Sequence, residues 1–213
     1  MITQKTGLLD QVRDRFAHVD TCPFQGPRVF FENAGGALTL KSVVDTSAKF
    51  AAIPDNQGRD NPASHQLVDV INASKARMRA MFNAPDGQFF VGESGTELLF
   101  RLIRTAIVGA EQGGTVLGST LEHPASRSAA TKWAHVTGQP YVAVPHDDAT
   151  GTVTAHDYAK YMTLDVRVAT IIHSSPVTGM SVDVAAVSAA IRAVAPDCFI
   201  IVDGIQHASH GHI

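Results

Sequence analysis

The chain has 213 residues, of which 45% are hydrophobic and 17% charged, with a formal net charge of −3. That length fits one large domain or two small ones, and the composition excludes an intrinsically disordered chain. With no basic block, nucleic-acid binding has no electrostatic support.

The two cysteines, Cys22 and Cys198, lie far apart in the sequence, which argues against a disulfide framework and for a reducing compartment. The opening segment MITQKTGLLDQVRDRF has no long apolar core, and no run approaches the ~20 residues that a bilayer span needs. The sequence therefore reads as a cytoplasmic protein with no membrane segment.

Leu8, Leu9, Val12, Phe16 and Val19 predict an amphipathic helix within 7–19. The turn CPFQGP and the apolar run 29–31 follow, then a loop at Asn33-Ala-Gly-Gly. A helix is predicted over 42–52, ended by Pro54, and residues 54–64 (PDNQGRDNPAS) read as an exposed loop. Leu67, Val70, Ile71, Met78, Met81 and Phe82 follow helical spacing.

From Gln88 a regular alternation begins. FFVGE (89–93), 115–119, 141–144, 168–172 and 199–202 read as strands. Helical stripes fall at Leu98, Leu99, Leu102, Ile103, Ala106 and Ile107, within 124–136, and at Val184, Val187, Ile191 and Val194. Strands alternating with such helices predict an α/β fold: a mostly parallel sheet with helices on both faces, binding ligands at the carboxyl ends of its strands.

The motifs that carry chemistry fall at those ends. In GESGTE, Ser94, Gly95 and Thr96 would offer backbone N–H groups and hydroxyls at a helix N-terminus, a cradle suited to a phosphate; the same residues also fit a plain cap through Ser94 and Glu97. In LEHPAS, His123 precedes Pro124, a favoured first helical residue, and either caps the helix or stacks on a ring and moves a proton. HSSPVTG (173–179) reads as turn chemistry. In VDGIQ, Asp203 ends an apolar strand, where an acid needs a cationic partner, and Gln206 follows three residues on. His207, His210 and His212 form a histidine tract that is either solvated or, with Asp203, part of a metal-dependent hydrolase.

In order along the chain, ENAGGA, ESGTE, LEHPAS, HSSPVTG and VDGIQHASH resemble the motifs of the class V aminotransferase and cysteine desulfurase family of fold-type-I pyridoxal-phosphate enzymes. The resemblance implies that Ser94, Gly95 and Thr96 hold the cofactor phosphate and that His123 stacks on the pyridine ring. It implies that Asp203 pairs with the protonated ring nitrogen, that Gln206 bonds the ring's phenolic oxygen, and that Asn33 lies near the substrate carboxylate. It further implies an amino-acid substrate, a homodimer, and C–S cleavage, transamination or epimerisation as the reaction.

Two features depart from the pattern. Pro176 stands where the family's turn carries Asn, and no lysine here has the Ser-x-x-Lys context of the Schiff-base lysine: Lys5, Lys41, Lys49, Lys75, Lys132 and Lys160 all lie elsewhere. The resemblance thus implies an N-terminal arm with helices over 1–55 and a large domain over 56–213. The catalytic lysine and the small C-terminal domain would lie beyond Ile213, missing or supplied by a complementing C-terminal piece, and this chain alone would not turn over. The rival to an enzyme fragment is a non-catalytic module that binds cofactor or a partner.

Overall fold

The computed structural model describes residues 7–54, 58–110 and 114–211, and the chain divides into two compact units, Met1–Ala80 and Met81–Ile213. Lys5, residues 55–57 of the predicted loop and His212 lie outside the described residues.

The first unit holds α1 (Leu8–Arg13), a two-residue antiparallel pair β1 (Thr21–Cys22) and β2 (Gly26–Pro27), α2 (Lys41–Ala51) and α3 (Pro62–Met81). The helix predicted within 7–19 is shorter than its apolar pattern: Phe16 instead bridges Leu40, and Leu8 and Leu9 stay exposed. The helix at 62–81 begins inside the segment read as loop, because Pro62 suits a first helical turn and Asn61 Oδ1 accepts from Ser64 N–H (2.9 Å). Among its described residues no hydrophobic side chain is buried.

The second unit is built of βα units. In order come α4 (Gly95–Gly109), β3 (Thr115–Ser119), α5 (Pro124–Thr137), β4 (Tyr141–Val144), α6 (Ala155–Ala159), β5 (Val166–Ile172), α7 (Val184–Val194), β6 (Phe199–Asp203) and α8 (Ile205–His210). The four strands β3–β6 pair in parallel in the order β4-β3-β5-β6. Alternation along the strands feeds two cores. Val116, Val168 and Ile201 face Leu99, Ile103 and Ile107 of α4 and the alanines of α5; Leu117, Ala169 and Ile171 face Tyr158, Val187 and Ile191 of α6 and α7. Helices therefore cover both faces, as the near-continuous apolar run of β5 requires. Each fully buried aliphatic side chain contributes roughly 1.5–3 kcal/mol.

The predicted strand FFVGE is absent. Residues 89–93 form no strand, and Phe90 and Val91 are exposed at 84% and 98%. A strand needs a neighbour as well as a β-rich sequence, and none lies beside this one. The short helices α6 and α8 were not predicted.

Candidate functional site

The carboxyl edge of the sheet gathers three of the sequence motifs, because each strand releases its chain there. β3 ends at Ser119 and its loop carries Glu122 and His123 to the start of α5; β5 leads into His173; β6 ends on Asp203 and passes through Gly204 into α8. Ile172 and Asp203 are in register, and His173 N–H donates to the Asp203 carbonyl (2.9 Å).

Asp203 is 7% exposed. Its Oδ2 accepts from Ser126 Oγ (3.2 Å) and its Oδ1 from Ile205 N–H (3.3 Å). Ser126 lies in the first turn of α5, so this bond ties the helix end that carries His123 to the end of β6. Both donors are neutral, and among the described residues no cation pairs with Asp203. A buried carboxylate so placed favours a cationic ligand.

His123 is the N-cap of α5, and its Nδ1 accepts from Ala125 N–H (3.1 Å). The neutral ring then carries its proton on Nε2. The cap fixes the half-buried imidazole, so the capping role serves any further role of the ring.

At α4, Ser94 is the N-cap and its Oγ accepts from Glu97 N–H (3.2 Å), while Leu98 N–H donates to Ser94 O (3.1 Å). The N–H groups of Gly95 and Thr96 have no partner among the described residues, which leaves an anion-binding helix end. A Cβ on Gly95 would meet the tip of the Ile205 side chain, so this helix start lies against the α8 start, two residues from Asp203. His123, Asp203 and the Ser94–Thr96 segment thus belong to neighbouring, mutually packed helix and strand ends. Gln206 is the second residue of α8 and half-buried. Asn33 lies in the first unit, exposed, on a turn closed by Gly35 and Gly36 N–H groups donating to Glu32 O (3.1 Å each).

HSSPVTG is turn chemistry, as its sequence predicts: Ser175 Oγ accepts from Val177 and Thr178 N–H groups (3.2 Å each), and Gly179 takes a φ of +73°. Of the histidine tract, His207 and His210 are described and do not meet at one point. The His207 ring stacks on His173 at 3.4 Å between centroids and its Nδ1 is 3.1 Å from Ser174 Oγ; His210 is exposed. Among the described residues no group of three or more His, Cys, Asp or Glu side chains is arranged to hold a metal. Also among them, no helix is long and apolar enough to cross a membrane.

Sequence reasoning did not single out Ser126 or Glu122. Ser126 stands one helical turn after His123, a position that shares its face. Glu122, an acid next to a strand end in LEHPAS, is 4% exposed, and its burial pushes the carboxyl pKa up to about 7.

A doubly covered parallel sheet, with an open helix N-terminus and a buried acid at its carboxyl edge, defines an α/β protein whose candidate site lies at that edge. Residues 29–213 match the model of the class-V aminotransferases, and the chain belongs to that family. No curated protein matches the chain. Among solved structures it is similar to the cysteine desulfurase CsdA from Escherichia coli (22% identity, 94% of this chain and 49% of that one, TM-score 0.73). It is similar also to a C-DES mutant with glycine covalently linked to its PLP cofactor (19% identity, 91% and 49%, TM-score 0.71) and to a NifS-like protein (17% identity, 83% and 48%, TM-score 0.76). These likenesses establish the fold, that of the fold-type-I large domain. The chain spans about half the length of those structures.

Proposed function

We propose that this chain forms the pyridoxal-phosphate cradle of an enzyme that acts on an amino acid. The observation that carries the reading is Asp203, a buried carboxylate with neutral donors and no cation partner among the described residues, at the sheet edge beside an open helix N-terminus. A protonated pyridine nitrogen supplies the missing charge, and a phosphate suits the Gly95 and Thr96 N–H groups and the Ser94 and Thr96 hydroxyls. The class-V family and the cofactor of the C-DES structure support the same reading.

Bound there, pyridoxal phosphate supplies an electron sink for negative charge at the substrate's α-carbon. Asp203 holds the ring-nitrogen proton, and Ser126 and Ile205 N–H hold Asp203. His123, fixed through Nδ1, would stack on the ring and would have Nε2 available for proton transfer. Gln206 would donate to the ring's phenolic oxygen. The cysteine desulfurase and NifS-like neighbours favour C–S bond cleavage over transamination.

The lysine that anchors the cofactor comes, in this reading, from outside these residues. Lys41 Nζ donates to Asp14 O (2.8 Å), Lys160 pairs with Asp157 (2.9 Å), and Lys49 and Lys132 lie over the rings of Phe50 and Trp133. The complete protein works as a homodimer, or with a complementing C-terminal piece, in the cytoplasm.

Equilibrium dialysis with pyridoxal phosphate tests the cradle: the chain should bind it, and Asp203→Ala should weaken binding tenfold or more, the scale of an unpaired buried charge. A visible absorbance band that borohydride fixes onto a lysine should appear only when the C-terminal polypeptide is added. Binding without any such band in either case favours the non-catalytic module, and absence of binding in both rejects the cradle.

A further inference from the structure

Beside the loop that carries His123 lies a buried polar cluster to which the cofactor roles assign nothing. Glu122 Oε1 accepts two hydrogen bonds, from Ser119 Oγ at the end of β3 and from Ile172 N–H at the end of β5, both at 3.0 Å. Its Oε2 is buried with no hydrogen-bond partner, as are Thr170 Oγ1 on β5 and Tyr141 OH on β4. A Cβ on Gly118 would lie 2.8 Å from both hydroxyl oxygens, so they border one small space over β3.

An ionised Glu122 would leave a bare anionic oxygen in this core, near a second carboxylate at Asp203. A proton on Oε2 removes the bare charge from the buried site, while Oε1 keeps its two bonds. We propose that Glu122 is a positioning residue acting as a neutral, protonated acid. Its Oε1 clamps the ends of β3 and β5, and so fixes the His123 loop without placing a second negative charge beside Asp203.

The electrostatics agree. Burial is the main cause that lifts the Glu122 pKa to about 7; the Ser119 and Ile172 hydrogen bonds and, least, the nearby Thr170 hydroxyl oppose it, and the charge of Asp203 on β6 adds to it. Tyr141 on β4 is pushed up to about 12, chiefly by burial, with Glu122 raising and Arg127 of α5 lowering it; Tyr158 on α6 is raised well above the ordinary phenol value. Neither phenol therefore ionises in competition with the acid. Unfolded glutamate titrates near ~4.3, so the stability tied to this proton is full below that pH and is lost as pH rises through about 7.

The clamp stands on the fold alone; its effect on the cofactor rests on the pyridoxal-phosphate reading. Infrared difference spectra of the wild-type chain against Glu122→Gln, at about pH 5.5 and about pH 8.5, read the proton directly. A protonated-carboxyl stretch present at the lower pH and missing from Glu122→Gln is the expected result. A carboxylate band at both pH values overturns the proposal. Glu122→Gln, an uncharged isostere, should fold and lose the decline of urea midpoint with rising pH; failure to fold at about pH 5.5 also overturns it. In dialysis with pyridoxal phosphate at about pH 6, Glu122→Gln should bind within about twofold of wild type and Glu122→Ala tenfold or more weaker. Equal binding by wild type and Glu122→Ala overturns the positioning role. If the wild-type chain itself binds none, the cofactor reading fails, and the infrared band still decides the state of Glu122.

Discussion

Asp203 is held by two neutral donors in a site that excludes water, which is a poor place for a carboxylate without a counter-charge. Asp203→Asn keeps the shape, and removing the charge relieves the desolvation. In urea the apo variant should be as stable as wild type or up to about 1 kcal/mol more stable. The same variant should lose pyridoxal-phosphate affinity by tenfold or more in dialysis, because a neutral amide offers the ring nitrogen no charge. Stability and binding moving in opposite directions would mark a ligand residue; both falling together would mark a structural ion. Asp203 and His123 were legible in the sequence because local chemistry marks them: an acid closing an apolar run, a histidine before a helix-starting proline. Ser126 and Glu122 were not, since their partners stand 77 and 50 residues away, and no local pattern records a loop folding back onto a distant strand.

At the scale of elements, β3 shows how closely the sheet is fitted at the site. A methyl at Gly118 would press on Thr170 Oγ1, Tyr141 OH and Tyr141 Cε2, all within 3.4 Å of it, in a strand whose every residue is buried. Gly118→Ala should cost about 1–3 kcal/mol in urea denaturation by overpacking. The helices α4, α5 and α7 and strands β3–β6 of the second unit were legible because they carry buried apolar residues at the right period and clear stops, such as Gly138 in the left-handed region (φ +70°) after α5. The short helix α6 carries its own signal, a capping box between Thr154 and Asp157, too brief for a hydrophobic period to form. FFVGE failed in the opposite way: its composition is that of a strand, while pairing is a tertiary fact.

At the scale of the molecule, the second unit leaves apolar surface uncovered. Phe199 and Val202 of β6 are 50% and 41% exposed, β6 pairs only with β5 among the described residues, and Phe90 and Val91, outside any strand, are 84% and 98% exposed. Open strands with apolar neighbours associate. Sedimentation of the chain should show concentration-dependent self-association, and Phe90→Asp with Val91→Asp should reduce it; no association at any accessible concentration would contradict the exposure.

The strand order also carries a history. β4 joins β3 through one short crossover and β6 joins β5 through another, whereas β3 and β5 meet only after the intervening chain has closed its longest loop. Two half-sheets should therefore gain amide protection early in refolding, and the seam between β3 and β5 last, as pulse-labelled hydrogen exchange can follow. Glu122 bridges that seam, so it must capture its proton before the seam shuts. The late refolding phase should slow as pH rises from ~4.3 towards about 7 in the wild-type chain, level off above that, and stay flat in Glu122→Gln.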